Sequence, residues 1–362
     1  MVAVVAVIAV IGQGCGGSDP GTSPPAADAA DGAATADGSP TGDGGGPVGM
    51  DDVCGWAAVE GDGVSTTTGG GDAPAITVTA ADELLALAAD AEPRVILIDG
   101  VLDVPRLEVA SNKTIAGLGP DSGLRGGIRI RGESLDARVS NVIIRNLTID
   151  GATSQTESDA TESDAVQIYR AHHVWIDHCD ISDAPDGNLD VTHGSDHVTV
   201  SWTVFHYSEQ APQPEHRFSS LIGHTDGNEE EDEGRLRVTF HHDWWSDGVV
   251  ERMPRVRWGH VHVVGNYYSS ADNNYCVAVG FHGQVIVENN AFAGVSDPNI
   301  LYDEEDPTAG LTASGNQYQG TSGPENGQQG APVPPLPRSY VSCPTDPADS
   351  IPDLVMSGAG PR

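Results

Sequence analysis

Positive charge is what this 362-residue sequence has least of. Its 17 Lys and Arg stand against 53 Asp and Glu, a formal net charge of −36, and Lys113 is the only lysine. Nucleic acid is thereby disfavoured as a partner, because phosphate binding needs broad basic surfaces. An anionic substrate would meet a repelling body and need cations concentrated where it binds. No CxxC pair or zinc-like spacing occurs among the five cysteines, which removes the usual structural zinc sites. Long apolar runs are missing too. Met1–Ile11 is almost wholly apolar, too short to cross a bilayer but long enough for a signal-peptide core. No basic residue precedes Arg94, so this leader lacks a positive n-region.

Residues 1–15 therefore read as a signal peptide or lipoprotein signal. Cys15 stands where a bacterial lipoprotein would carry its lipid, although Gly12, three residues before it, occupies a position where Leu is usual. Both readings place the protein outside the cell, secreted or tethered to the surface. Residues 16–48, built of Gly, Ser, Thr, Asp, Ala and Pro, cannot bury a core and read as a flexible linker. Export permits disulfides among Cys54, Cys179, Cys276 and Cys343. Their pairing is not legible, and a bridge tying Cys343 to the body stays open.

Helical pattern is scarce, with "TAADELLALAAD" near residue 85 the one good stretch. What is present instead is a repeat. "NVIIRNLTI" begins at Asn141, "HVWIDHCDI" at His173, "HVTVSWTVF" at His197, "RVTFHHDWW" at Arg237, "HVHVVGNYY" at His260 and "QVIVENNAF" at Gln284, at intervals of 32, 24, 40, 23 and 24 residues. The second, fourth and ninth positions stay apolar in every copy: Val142, Ile144 and Ile149 in the first, Val285, Val287 and Phe292 in the last. Positions two and four of a strand face the same side, so each copy buries one face and stacks on the next. That predicts an all-β parallel β-helix over residues 49–302, with one short N-terminal helix. A β-sandwich would not hold one register at this spacing. Residues 303–362, rich in proline, read as an irregular segment that packs on the solenoid's end or trails from it.

The repeat also locates chemistry. Glu162 and Asp186 each fall eleven residues before the next copy, Asp164 nine and Asp190 seven, while Arg252 and Arg257 lie eight and three before His260. Stacked coils superimpose, so these residues gather on one side. Leu189 and Val191 point inward and turn Asp190 out; Val256 and Trp258 do the same for Arg255 and Arg257. Clustered carboxylates without Cys or His partners suit a hard cation, and calcium is the natural candidate. Ordinary turn residues are the blander reading. The arginines either neutralise those carboxylates or bind an anionic substrate, since the guanidinium fork suits carboxylates of both origins. The pairs His241–His242 and His260/His262 read as ladder or surface histidines rather than a zinc site. Trp244 and Trp258 suit sugar stacking or core packing equally, whereas Trp245 belongs to the buried column. "NEEEDEG" at 228–234 reads as a solvated loop.

From about Cys54 to Phe292, "CGWAAVEGDGVSTTTGG", "NKTIAGLG", "NVIIRNLTI", "SDAVQI", "VWIDHCDIS", "DGNLDVTHGSDHVTVSWTVF", "LIGHTD" and "VERMPRVRWGHVHVVGNYY" together resemble a pectate lyase of polysaccharide lyase family 1. The resemblance implies a right-handed parallel β-helix. It implies Ca2+ held by Asp164, Asp186 and Asp190, with Glu162 as a further ligand, Arg252 as the base and Arg257 as a substrate-binding residue, Arg255 standing beside it. The implied reaction is elimination on polygalacturonate by a secreted monomer. A free guanidinium has a pKa above about 12, so an arginine base implies an alkaline optimum. The family's substrate-binding lysine is replaced by Gln210, and the insertion "APQPEHRF" follows it. Arg217 or His216 are the candidates to supply the missing charge. Three other functions stay in view. One is a pectin lyase on methylated chains, against which the three aspartates argue. The others are hydrolysis by paired carboxylates and a surface protein that grips polyuronate without cleaving it.

Overall fold

The repeat becomes a solenoid in the computed structural model, which describes residues 53–154, 163–302 and 307–362. Residues 1–52, and with them the leader, Cys15 and the linker, lie outside the described residues, as do Glu162 and residues 303–306. Among the described residues, the strands form one sheet of eleven and one of fifteen. The larger sheet turns through Gly123–Arg131, which pairs with both Thr148–Asp150 and Val166–Tyr169. Neighbouring coils pair in parallel, as a stack of successive turns requires.

Register follows the apolar positions. Val142, Val174, Val198, Val238, Val261 and Val285 stand opposite one another coil by coil. The ninth positions do likewise from Ile149 to Phe292. These side chains are buried, each removed from water at a gain of roughly 1.5–3 kcal/mol. The ninth-position column is aromatic at one end. Phe205, Trp245, Tyr268, Phe292 and Tyr318 stack at centroid distances of 5.4, 4.7, 4.3 and 5.1 Å, near parallel. Offset stacking of this kind adds to the burial term.

Each coil turns a corner at its sixth position. Asn146, His178, Trp202, His242 and Asn289 take positive φ there, as do Gly265 and Gly315, so the left-handed region is used even by bulky residues. One residue later, Asn266, Asn290 and Asn316 form a ladder. The Asn290 amide oxygen accepts from the Asn266 backbone N–H at 2.8 Å, and that of Asn316 from the Asn290 N–H at 2.8 Å. Asp243 continues the ladder, accepting from the Thr203 N–H at 2.9 Å.

The structure differs from the sequence reading in three respects. The solenoid does not stop at residue 302: Gly310–Ser314 and Gln317–Gln319 add another coil in register with the last. Gly327–Gly330 then pairs antiparallel with Gly310–Ser314 and covers that edge. Helices also form at Glu229–Asp232 and Ile351–Gly358 besides Ala81–Ala89. Within "NEEEDEG", Glu231 pairs with Arg170 and Asp232 is buried against the Gly194 N–H, so that run is a docked turn rather than a solvated loop. Cys54 is bonded to Cys343, while Cys179 and Cys276 are buried thiols. The only lysine is structural. Lys113 is fully buried and its Nζ donates to the carbonyls of Asp90, Glu92 and Ser111 at 2.8, 2.8 and 3.1 Å.

Candidate active site

One face of the larger sheet carries the candidate residues because its strands arrive in order: Val166–Tyr169, Leu189–Thr192, Leu221–Ile222 and Arg255–Val256. Leu189 and Val191 are fully buried and Asp190 between them is turned outward, as alternation demands. Backbone hydrogen bonds level the turns that precede these strands. The Asp186 N–H donates to Ser163 O at 3.2 Å, Asn188 N–H to Phe218 O at 3.2 Å, Ser219 N–H to Glu251 O at 3.0 Å and Ser220 N–H to Arg252 O at 2.6 Å. These turns carry Asp164, Asp186, Phe218 and Arg252 on successive coils, with Phe218 bridged to Glu251, the residue before Arg252. A cleft of about 630 Å³ opens there, lined by Asp164, Asp186, Asp190, His216 and Arg252 among others.

The electrostatics are those of crowded anions. Burial, with the Asp186 carboxylate adding to it, pushes the Asp190 carboxyl up to about 7, against the pull of Arg252 and of the Leu221 N–H, which donates to Asp190 Oδ1 at 3.0 Å. Asp164 is 4% exposed. Behind the cleft, Tyr207 is buried and its hydroxyl donates to the Phe218 carbonyl at 2.8 Å. Burial and the nearby Asp164, Asp190 and Asp186 raise that phenol well above its ordinary value. A cation would relieve the crowding.

Gly187 tests whether one would fit. A Cβ built on Gly187 would stand 3.1 Å from Asp164 Oδ1 and 3.4 Å from Asp190 Oδ1, so glycine keeps open a space on which two carboxylates converge. The three carboxylates do not draw their oxygens within 4.8 Å of one another as a closed ligand set. That openness suits an ion with bonds of about 2.3–2.6 Å and six to eight ligands, some of them supplied from outside the protein.

The arginine motif divides. Arg252 alone joins the carboxylates. Its backbone is left-handed at φ 62°, a costly conformation for a non-glycine residue. Its guanidinium lies 4.2 Å over the Phe218 ring, and its Nε is buried without an acceptor. Arg255 and Arg257 line a separate cavity of about 120 Å³ with Asp226 and Tyr302. Arg257 Nε donates to Asp226 at 2.7 Å, and Arg255 sits 3.5 Å over the Tyr302 ring. Neither neutralises Asp164, Asp186 or Asp190 through a direct contact.

Of the two residues expected to replace the family lysine, His216 lines the cleft and its Nδ1 lies 3.2 Å from Asp186 Oδ1. Arg217 is not among the lining residues; its carbonyl accepts from the Val250 N–H at 2.9 Å. Gln210 is exposed, donating its own N–H to Ser208 Oγ at 3.1 Å. The sequence reading did not single out Phe218 and Tyr207. Phe218 ends an insertion that has no repeat to anchor it. For Tyr207, its place two residues after the buried Phe205 was the available signal.

The remaining candidates are structural. His242 stacks on Trp202 at 4.4 Å, and His262 bonds Tyr340 and Glu288 at 2.8 and 2.9 Å. Trp258 stacks on His282 at 4.6 Å and donates to the Thr225 carbonyl. Trp244 donates to Ser269 Oγ at 2.9 Å, and Trp245 is fully buried.

Residues 21–322 match the family described as Pectate lyase. A pectate lyase of Emericella nidulans is 36% identical over 250 residues, 67% of this chain and 70% of that protein. Pectate lyase E of Dickeya chrysanthemi is 34% identical over 288 residues, 66% of this chain and 67% of that one. Among solved structures, a thermostable pectate lyase superposes with a TM-score of 0.67 at 24% identity, covering 85% of this chain and 96% of the other. A Bacillus pectate lyase in complex with trigalacturonate gives 0.65 at 22% identity, over 85% of this chain and 98% of that one. These structural likenesses carry the parallel β-helix, and the sequence matches carry the membership: this chain belongs to the pectate lyase family, whose members are polysaccharide lyases.

Proposed function

We propose that the protein is a calcium-dependent pectate lyase that cleaves α-1,4-linked polygalacturonate by β-elimination. One observation carries this reading: Asp164, Asp186 and Asp190 share a cleft with Arg252, and Gly187 keeps a side chain out of the space on which two of the carboxylates converge. Those three aspartates, with Glu162 on the strength of the resemblance, would hold the calcium. Bound there, the ion supplies positive charge that offsets the uronate carboxylate and makes the neighbouring C5 proton more acidic.

The chain's own residues do the rest. Arg252 takes the C5 proton. The C–H electron pair becomes the C4=C5 double bond as the C4–O bond breaks, and the glycosidic oxygen leaves with that bond's electrons and gains a proton. No water is consumed. Arg257 and Arg255 bind uronate carboxylates along the chain, a role supported by their lining a cavity of their own. Arg217, away from the cleft lining, has no part in this scheme. Export suits the reading, since the apolar start of the chain resembles a leader and disulfides such as Cys54–Cys343 persist outside the cell.

Ultraviolet absorbance of unsaturated product, followed with polygalacturonate at alkaline pH, tests it. Absorbance should rise with calcium and stop on chelation, and Arg252→Ala should slow it by about 10²–10⁴-fold, the range for losing a general base. Substrate binding by a folded protein with no rise would overturn the lyase reading and identify a polyuronate-binding protein. A rise confined to methyl-esterified chains and indifferent to chelation would identify a pectin lyase.

A further inference from the structure

We propose that Asp226 is a positioning residue for substrate, one that holds the Arg257 guanidinium by its inner nitrogen and leaves its outer nitrogens as a fork for a uronate carboxylate. The inference rests on the reading of this chain as a lyase acting on polygalacturonate. Arg257 Nε donates to Asp226 Oδ1 at 2.7 Å, and Nη1 reaches the Gly223 carbonyl at 3.5 Å. Nη2 takes part in neither contact. The Arg257 side chain is only 16% exposed, so what surrounds it sets its direction, whereas Asp226 is 57% exposed and reaches it from outside. The turn that carries Asp226 is pressed onto Arg257. Leu221–Ile222 pairs in parallel with Arg255–Val256, and the Arg257 N–H donates to the Ile222 carbonyl at 2.8 Å. Gly223 is left-handed at φ 84°, and a Cβ there would stand 2.6 Å from the Arg257 carbonyl oxygen, so glycine is what lets the chain pass so close. The Trp258 indole, stacked on His282, donates to the Thr225 carbonyl at 3.2 Å. Asp226 is therefore presented by a braced turn.

An exposed ion pair of this kind contributes little to stability, so its place in the fold is what calls for a reason. Asp226, Arg255 and Arg257 line one cavity of about 120 Å³. A carboxylate entering there can take Nη1 and Nη2 of Arg257 together, the bidentate geometry that guanidinium favours. Asp226 sits at Nε, so the two carboxylates do not need the same hydrogens. A guanidinium already held in place also loses less freedom when its ligand arrives. Charge acts in the opposite direction, because Asp226 offsets part of the attraction that Arg257 exerts on an anion. Positioning and competition therefore predict opposite signs when the side chain is removed.

The test uses the full chain with calcium present. Titration calorimetry reads Kd for trigalacturonate in the Arg252→Ala background, where cleavage does not follow binding, and product absorbance reads KM and kcat with Arg252 intact. Asp226→Ala should raise Kd and KM by about ten-fold, the scale of one charge-assisted contact, while kcat changes far less. Asp226→Asn keeps an acceptor for Nε and should restore most of the affinity. Added to Arg257→Ala, Asp226→Ala should change Kd no further, as expected of a residue that acts through another. Asp103 controls for the loss of one negative charge, since it pairs with Arg125 at 3.4 Å between Val101–Glu108 and Gly123–Arg131; Asp103→Ala should leave Kd where it was. An unchanged or tighter Kd in Asp226→Ala, or an equal loss once Arg257 is gone, overturns the proposal. Failure of the parent reading looks different. Binding without product when Arg252 is intact sinks the lyase reading and leaves Kd to decide Asp226. No affinity for trigalacturonate before Asp226 is altered sinks the polyuronate reading and this role with it.

Discussion

Gly187 is the residue on which the cation reading can be tried most narrowly. Its backbone needs no left-handed conformation, so replacing it should strain nothing but the space between Asp164 and Asp190. Gly187→Ala puts a methyl group 3.1 Å from one carboxylate oxygen and 3.4 Å from the other, closer than an ion's first shell tolerates an apolar atom. Melting temperature should move little, within the small range of changes that create no cavity and bury no charge. The calcium concentration for half-maximal elimination should rise by about ten-fold or more, the scale on which disturbed ligands lose metal. A calcium titration of product absorbance decides it, and an unchanged midpoint would remove the gap from the argument. Residues of this kind were legible where they sat in the repeat. Asp190 was assigned to the surface because Leu189 and Val191 had to be inside. His216 and Arg217 were not separable, because the insertion "APQPEHRF" has no period, and only the fold shows which of two adjacent side chains enters the cleft.

At the scale of the element, periodicity carried most of the information. Positions two, four and nine set the register of both sheets, since burying one face leaves little freedom to slip. The coil at Gly310 also fits, with Leu311, Ala313 and Tyr318 at those positions. Glycine and alanine give the pattern little amplitude there, which hides this coil in the sequence. The corners were invisible for another reason: the sign of φ at His178 or Trp202 has no counterpart in hydropathy. The ladder after the corner yields a prediction through its odd member. Asp243 is fully buried, burial holds its carboxyl well above the ordinary value, and its Oδ2 has no partner. Asn266, Asn290 and Asn316 each donate their Nδ2 to the carbonyl of a fourth-position residue one coil back, so an asparagine at 243 should donate to Val200. A native pKa above the unfolded value of about 3.9 means the folded state holds the extra proton. Stability is therefore full below that value and is lost as pH rises toward the native pKa. Asp243→Asn removes this loss and satisfies the buried site, a gain of about 1–3 kcal/mol at alkaline pH. Thermal melts at pH 5 and pH 9 should show the larger gain at pH 9. Equal gains would mean that the carboxyl does not titrate as its burial implies.

For the molecule as a whole, the sharpest constraint on the proposed function is that a chain of net charge −36 would have to bind a polyanion. On the proposed reading both partners repel at long range, while Arg252, Arg255 and Arg257 and a bound cation would attract only where the substrate chain touches them. Salt separates these contributions by distance. Raising ionic strength to 0.1 M shortens the Debye length to about 10 Å, which screens the body's repulsion across the approach but scarcely reaches contacts at hydrogen-bond range. With free calcium held constant, KM for polygalacturonate should therefore fall by several-fold between about 0.01 M and 0.1 M salt, while kcat stays nearly level, because the reacting groups are already in contact. A basic enzyme acting on the same polymer would show the opposite slope. If KM rose instead, the local cations would outweigh the body, and crowding three arginines into residues 252–257 would not be explained by the need to overcome it.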